Sequence, residues 1–100
     1  MNALEQIWGV FVLPERMGSM ELKETVELML SENHADRLRA EYRQTKIRAE
    51  KLHRIIVKLR AETLAFTPKC DVYTLESQEQ AMRDYLKSLE IRAEIEGIDL

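Results

Sequence analysis

The side chains best suited to chemistry are the basic ones, and they are concentrated in the middle of the chain. Residues 33–62 carry nine Lys or Arg against four acidic residues, a net charge of +5, whereas residues 1–32 and 63–100 each carry a net charge of -4. Basic side chains on one helix face can bind phosphate groups, and a nearby aromatic ring can stack on a base. The residues predicted to bind such a ligand are Arg39, Tyr42, Arg43, Lys46 and Phe66.

A second interpretation of the basic segment stays open. The acidic flanks can fold back onto it and neutralise it within the chain, leaving an ordinary solvated helix face. The whole chain has a net charge of -3 and a pI of about 5.4, so we do not expect nucleic acid as a partner.

The cysteine and histidine residues give little indication of a nucleophilic or metal site. Cys70 is the single cysteine, and neither His34 nor His53 is close to it in sequence to serve as its base. The two histidines lie roughly 28 Å apart if they share one helix, too far for a common metal ion. We therefore expect no enzyme, no metal site and no cofactor.

The elements that position these residues follow from apolar spacing. Between residues 33 and 63, apolar or small residues recur at alternating intervals of four and three, which indicates a long helix packed against another helix. Ser31 or Asn33 can cap its start, and Pro68 requires it to end before Phe66. The seam residues are Leu38, Tyr42, Thr45, Ala49, Leu52, Ile56 and Leu59.

Residues 75–96 continue the same spacing if Glu79 fills one gap, and they predict a second long helix. Thr74 or Ser77 can cap its start, and Gly97 is a typical C-terminal cap. The short connector makes the two helices antiparallel, and residues 20–30 predict a short amphipathic helix before them. The fold class is therefore all-α, a helical hairpin with a long central helix plus a short N-terminal helix. The residues assigned to packing or oligomer contacts are Leu38, Ala49, Leu52, Ile56, Leu59, Met82, Leu86 and Leu89.

The chain divides into an N-terminal extension or docking arm at residues 1–19 and a helical domain at residues 20–100. The longest apolar run is seven residues, too short to span a bilayer, so we expect no membrane contact and a cytoplasmic location. Apolar positions off the main seam, such as Ile47 and Ile55, leave a second surface to cover. They predict a homo-oligomer.

Several segments of the helical domain also resemble a known group of proteins. They are residues 21–29, 37–44, 46–48, 66–70, 75–92 and 95–100, and the Phe-Thr-Pro-Lys-Cys connector at 66–70 is the most distinctive. Together they resemble a family of small phage and prophage proteins of gut bacteria, related to the helical-hairpin proteins of crAss-like phages. Residues 1–19 depart from that pattern.

The resemblance implies a phage origin, a helical fold and action inside an infected bacterial cell. Phage proteins of this size are often counter-defence factors. We therefore expect a non-enzymatic accessory protein that binds its target. The target is either a phosphate-bearing, cyclic-nucleotide-type signal held between protomers or a host defence protein. The alternative is a structural coiled-coil or adaptor protein with no ligand.

Overall fold

A computed structural model describes residues 21–100, and the prediction made for residues 1–19 lies outside the described residues. A 3₁₀ turn at Leu22–Thr25 leads into α1 (Val26–Met29), which is followed by α2 (His34–Arg60) and α3 (Val72–Glu96). α2 and α3 form an antiparallel hairpin, and no strand occurs within residues 21–100. The predicted all-α hairpin with a long central helix is confirmed.

The ends of α2 are set by local hydrogen bonds. Asn33 caps the start, where its side-chain oxygen accepts a hydrogen bond of 2.8 Å from the Ala35 amide. The helix ends at Arg60, several residues earlier than Pro68 alone requires. The chain turns there because Glu62 adopts a left-handed conformation at φ 61° and the Thr63 amide bonds the Lys58 carbonyl at 2.8 Å.

α3 begins earlier than the predicted residue 75. Asp71 is its cap, and its carboxylate accepts a hydrogen bond of 2.7 Å from the Thr74 amide. At the other end, Gly97 takes φ 69° and the Ile98 amide bonds the Ala93 carbonyl at 2.8 Å. Gly97 is therefore the C-terminal cap that the sequence predicts.

The core lies in the seam between α2 and α3. Leu38, Leu89 and Ala93 form its most buried cluster, with exposed fractions of 1–3%. Of the other residues assigned to packing, Ala49, Ile56 and Leu86 are buried, whereas Leu52, Leu59 and Met82 are half-buried.

The segment before α2 covers a different side of that helix. Thr25 is fully buried, and its hydroxyl accepts a hydrogen bond of 2.7 Å from the Gln44 amide group. Ala40 is also fully buried, although it lies about 180° around the helix from Ala49. α2 is therefore packed on two opposite sides, and most of its other residues are half-buried.

Candidate functional site

A shallow groove runs along one edge of the hairpin and brings predicted ligand-binding residues together with residues of α3. Its volume is about 220 Å³. Ala49 and Leu86 form the floor, and both are buried. Because Ala49 carries only a methyl group, the surface is recessed at this point. The charged and aromatic residues that line it are Tyr42, Lys46, Glu50, Arg83, Lys87 and Glu90.

Tyr42 is the aromatic wall of the groove. Its hydroxyl donates a hydrogen bond of 2.7 Å to the Glu90 carboxylate, and the Lys46 ammonium lies 5.8 Å from the centre of its ring. Burial, together with the hydrogen bond and the charge of Glu90, raises the pKa of Tyr42 to about 12. The ring is therefore oriented by the hydrogen bond at its hydroxyl and by the ammonium over its face, and it stays neutral at physiological pH.

The groove carries more basic than acidic side chains, and two of the basic ones are available. Within residues 21–100, neither Lys46 nor Lys87 makes an ion pair. Arg83, in contrast, donates two hydrogen bonds of 2.8 and 3.0 Å to Glu79. Two ammonium groups beside an apolar floor and an aromatic wall make an arrangement that can bind an anionic, partly aromatic ligand.

The acidic side of α3 neutralises part of α2 elsewhere along the seam, as the second interpretation of the basic segment expects. At the connector end, Arg60 and Glu76 form a bidentate pair at 2.8 and 3.0 Å, which lowers the pKa of Glu76. At the opposite end, His34 hydrogen-bonds Glu96 at 2.8 Å, and this contact lowers the pKa of that carboxyl.

His53 and Glu79 meet in the middle of the seam at 2.6 Å, where their side chains are only 19% and 14% exposed. Glu79 therefore occupies the seam position to which the spacing of α3 assigns it.

The structure brings some of the predicted ligand-binding residues together and separates others. Tyr42 and Lys46 line the groove. By helix geometry, Arg39 lies nearly one turn before Tyr42 along the same edge of α2. The Arg39 guanidinium donates hydrogen bonds to the Asp99 carbonyl at 2.6 Å and to the Asp36 carboxylate at 3.1 Å.

Arg43 and Phe66 lie away from the groove. Arg43 is rotated by about 100° from Tyr42 around α2, and its buried Nε has no hydrogen-bond partner among residues 21–100. Phe66 is 58% exposed in the connector, beyond the end of α2. That helix end lies roughly 27 Å from Tyr42 along the axis, so within one chain Phe66 is separated from the groove.

The residues that α3 contributes to the groove were missed by the sequence reasoning. Arg83, Lys87 and Glu90 flank the seam residue Leu86 along one edge of the helix, at intervals of four and three. This spacing is a signal that can be read from sequence, but α3 was interpreted as the acidic cover of α2. Its own basic residues were therefore not assigned a role.

Other chemistry is sparse in the described part of the chain. Cys70 is a free, exposed thiol in the connector. Residues 21–100 contain no cluster of three or more histidine, cysteine or acidic side chains that could hold a metal ion. No helix in that range has the length and apolar content needed to cross a membrane.

The fold and the groove define a small all-α hairpin protein with a shallow groove of mixed charge. The chain belongs to the Sequestin family, whose pattern it matches over residues 32–95. The match includes all of α2, the connector and nearly all of α3, so the whole groove lies within it. No curated protein and no solved structure matches the chain.

Proposed function

We propose that this protein binds and sequesters a small, phosphate-bearing nucleotide in the groove between α2 and α3, without chemical change to the ligand. The family name is compatible with a sequestering role. The observation that carries the proposal is the placement of two ammonium groups without ion pairs, Lys46 and Lys87, on either side of an apolar floor beside the Tyr42 ring. The ammonium groups bind phosphate, and the ring offers a face for a base.

We infer from the size of the groove that a second copy of the chain completes the site. Small-molecule sites usually measure about 300–1,000 Å³ and enclose most of the ligand. The groove of one chain measures about 220 Å³, so it covers only part of a nucleotide. A homo-oligomer can supply the missing wall, and the ligand is then held between protomers.

The biological setting that we propose is counter-defence in a phage-infected bacterial cell. It rests on the resemblance of residues 20–100 to small phage and prophage hairpin proteins. A sequestering protein lowers the free concentration of a signal by binding it stoichiometrically, so it needs affinity but no catalytic group.

The proposal is tested by isothermal titration calorimetry with a panel of cyclic dinucleotides and ADP-ribose derivatives. We expect at least one to bind, and Lys46→Glu to weaken that binding by tenfold or more. Lys51→Glu is the matched control, because it makes the same charge change on an exposed lysine of α2 that does not line the groove. Its affinity should equal that of the unmodified chain.

Three results would overturn the proposal. Absence of binding by every nucleotide at high concentration would leave a ligand-free adaptor or an inhibitor of a host defence protein as the remaining functions. Equal losses in the two lysine variants would show that binding depends on overall charge and not on the groove. Recovery of the bound ligand unchanged after heat denaturation would support sequestration, whereas a cleaved product would indicate an enzyme.

A further inference from the structure

Arg43 carries hydrogen-bond donors that the folded chain does not use. Its side chain is half-buried, and its Nε is fully buried without a hydrogen-bond acceptor. Within residues 21–100 the guanidinium makes no hydrogen bond and no ion pair. A buried donor without an acceptor is costly, so it calls for a physical explanation, and a bound anion is one.

The way in which Arg43 is buried suits it to bind an anion. Nε is the only nitrogen of this guanidinium that is buried without a partner, so the two terminal nitrogens, which make no hydrogen bond within residues 21–100, are accessible. Because water is excluded from the inner side of the group, its charge attracts an anion more strongly than a fully exposed arginine does. The planar guanidinium also presents N–H groups that match two oxygens of one phosphate.

Arg43 extends the basic edge of the groove around α2. It lies three residues before Lys46 and four after Arg39, and residues at these intervals are neighbours on a helix surface. The Arg39 guanidinium already donates hydrogen bonds, whereas Lys46 lines the groove. The charge of Arg43 also reaches Tyr42, because burial and Glu90 raise the pKa of this tyrosine while Arg43 acts in the opposite direction.

We propose that Arg43 binds a second phosphate group of the ligand in the groove, so that the ligand is a nucleotide with two phosphates. This inference rests on the proposed function and deepens it. The first phosphate lies between Lys46 and Lys87, and the second lies on the far side of Lys46. Helix positions three residues apart have Cβ atoms about 5–6 Å apart, so the two phosphates are close neighbours. A nucleoside diphosphate and a dinucleotide both meet this requirement, whereas a monophosphate leaves Arg43 without an acceptor.

The first experiment measures the stability of Arg43→Met in the absence of ligand. Methionine keeps an unbranched side chain for the buried part of the site and removes the poorly solvated charge. If the guanidinium serves a ligand and not the fold, the midpoint of urea denaturation should stay equal or rise. A clear fall in the midpoint would show that Arg43 stabilises the folded chain itself, and this result would overturn the inference.

The second experiment compares ligands with one and two phosphates by isothermal titration calorimetry. The ligands are a nucleoside monophosphate, the corresponding diphosphate and the cyclic dinucleotide, in an adenine and a guanine series. We expect Arg43→Gln to weaken binding of at least one two-phosphate ligand by tenfold or more, and binding of the monophosphate by less than twofold. The ligand that loses affinity distinguishes a diphosphate from a dinucleotide. Equal losses for monophosphate and two-phosphate ligands, or no loss for any of them, would overturn the inference.

Arg48→Gln is the matched control for the calorimetry. Arg48 is an exposed arginine of α2 that makes no ion pair within residues 21–100. It is rotated by about 140° from Arg43 around the helix, so it points away from the basic edge of the groove. The variant makes the same change of charge as Arg43→Gln and should leave every affinity unchanged.

Thermal denaturation with pyrophosphate separates failure of the Arg43 subsite from failure of the proposed function. We expect pyrophosphate to raise the melting temperature of the unmodified chain and of Arg48→Gln, but to have much less effect on Arg43→Gln. If this pattern is seen and no nucleotide binds, the Arg43 subsite stands and the proposed function is wrong. If nucleotide binding depends on Lys46 but is unaffected by Arg43→Gln, the proposed function stands and the Arg43 subsite is wrong.

Discussion

Removal of the Glu79 carboxylate should destabilise the hairpin far more than removal of a similar carboxylate on its surface. Glu79 lies in the middle of the seam, and its side chain is only 14% exposed. It accepts one hydrogen bond from His53 at 2.6 Å and two from Arg83 at 2.8 and 3.0 Å. The variant Glu79→Ala removes all three acceptor contacts and leaves the His53 ring, which is 19% exposed, without this partner.

The expected loss of unfolding free energy in Glu79→Ala follows from the burial of the carboxylate and its partners. A buried polar group that loses its hydrogen-bond partner costs about 1–3 kcal/mol, and a hydrogen bond to a charged group contributes about 1.5–3 kcal/mol. The Arg83 side chain is 37% exposed and can regain water, which reduces the total. We expect Glu79→Ala to lower the free energy of unfolding by about 2–4 kcal/mol, a large part of the 5–15 kcal/mol typical of a domain.

The measurement is urea denaturation followed by far-ultraviolet circular dichroism. At a slope of roughly 1–2 kcal/mol per molar urea, the midpoint should fall by about 1–4 M. A double-mutant cycle with His53→Ala should show that the two substitutions together cost less than the sum of their separate effects, because they remove the same contact.

Glu76 supplies the control for this prediction. It lies on the same helix and makes a bidentate contact with Arg60, but both side chains are exposed, at 39% and 50%. Exposed ion pairs contribute little to stability, so Glu76→Ala should shift the midpoint only slightly. Equal shifts for Glu76→Ala and Glu79→Ala would refute the reasoning, because burial is the main difference between the two contacts.

Three further predictions concern local features. Glu62→Gly should raise the free energy of unfolding by about 0.5–1 kcal/mol, because φ at this position is 61° and glycine adopts that conformation without steric cost. A similar gain in Glu62→Ala would instead show that the gain comes from removal of the Glu62 charge. Measured by phenolate absorbance, one of the three tyrosines should titrate near pH 12, and this step should disappear in Tyr42→Phe. Because folding raises the pKa of Tyr42, the stability that this group contributes is lost as pH rises from 10 to 12. The hydrogen bond from Thr74 lowers the pKa of Asp71, so the Asp71 carboxylate should stabilise the fold at neutral pH and lose this effect as pH falls below 4. Asp71→Ala should therefore be less stable at neutral pH, and its stability should change less on acidification. Unchanged acid sensitivity would contradict the capping role.

The fold could be predicted from sequence wherever one residue pattern determines one structure. The four-and-three spacing of the seam requires helices packed together, and Asn33 and Gly97 are residue types with strong preferences for helix ends. The end of α2 was less predictable because it depends on Glu62 in a left-handed conformation, which that residue type seldom adopts. The start of α3 was placed late because several polar residues in the connector can act as caps, and only the observed hydrogen bond selects Asp71.

The candidate site was predictable only on the α2 side. Tyr42 and Lys46 were identified from the basic segment alone, and they do line the groove. Arg39 was identified for the same reason, but its guanidinium is engaged by Asp99 and Asp36. The groups that pair across the hairpin depend on the register of α3 against α2, and a periodic pattern permits that register to shift by a whole heptad.

The amino-acid sequence by itself determined the helices, the antiparallel hairpin and the segregation of charge, because these follow from local preferences and from apolar periodicity. Only the tertiary structure decided which charged side chains form ion pairs across the hairpin. Glu79 is committed to His53 and Arg83 inside the seam, whereas Lys46 and Lys87 remain beside the groove without an ion pair within residues 21–100. The physical reason is that Coulomb and hydrogen-bond energies depend on distance and burial, and both are set by the packing of the two helices.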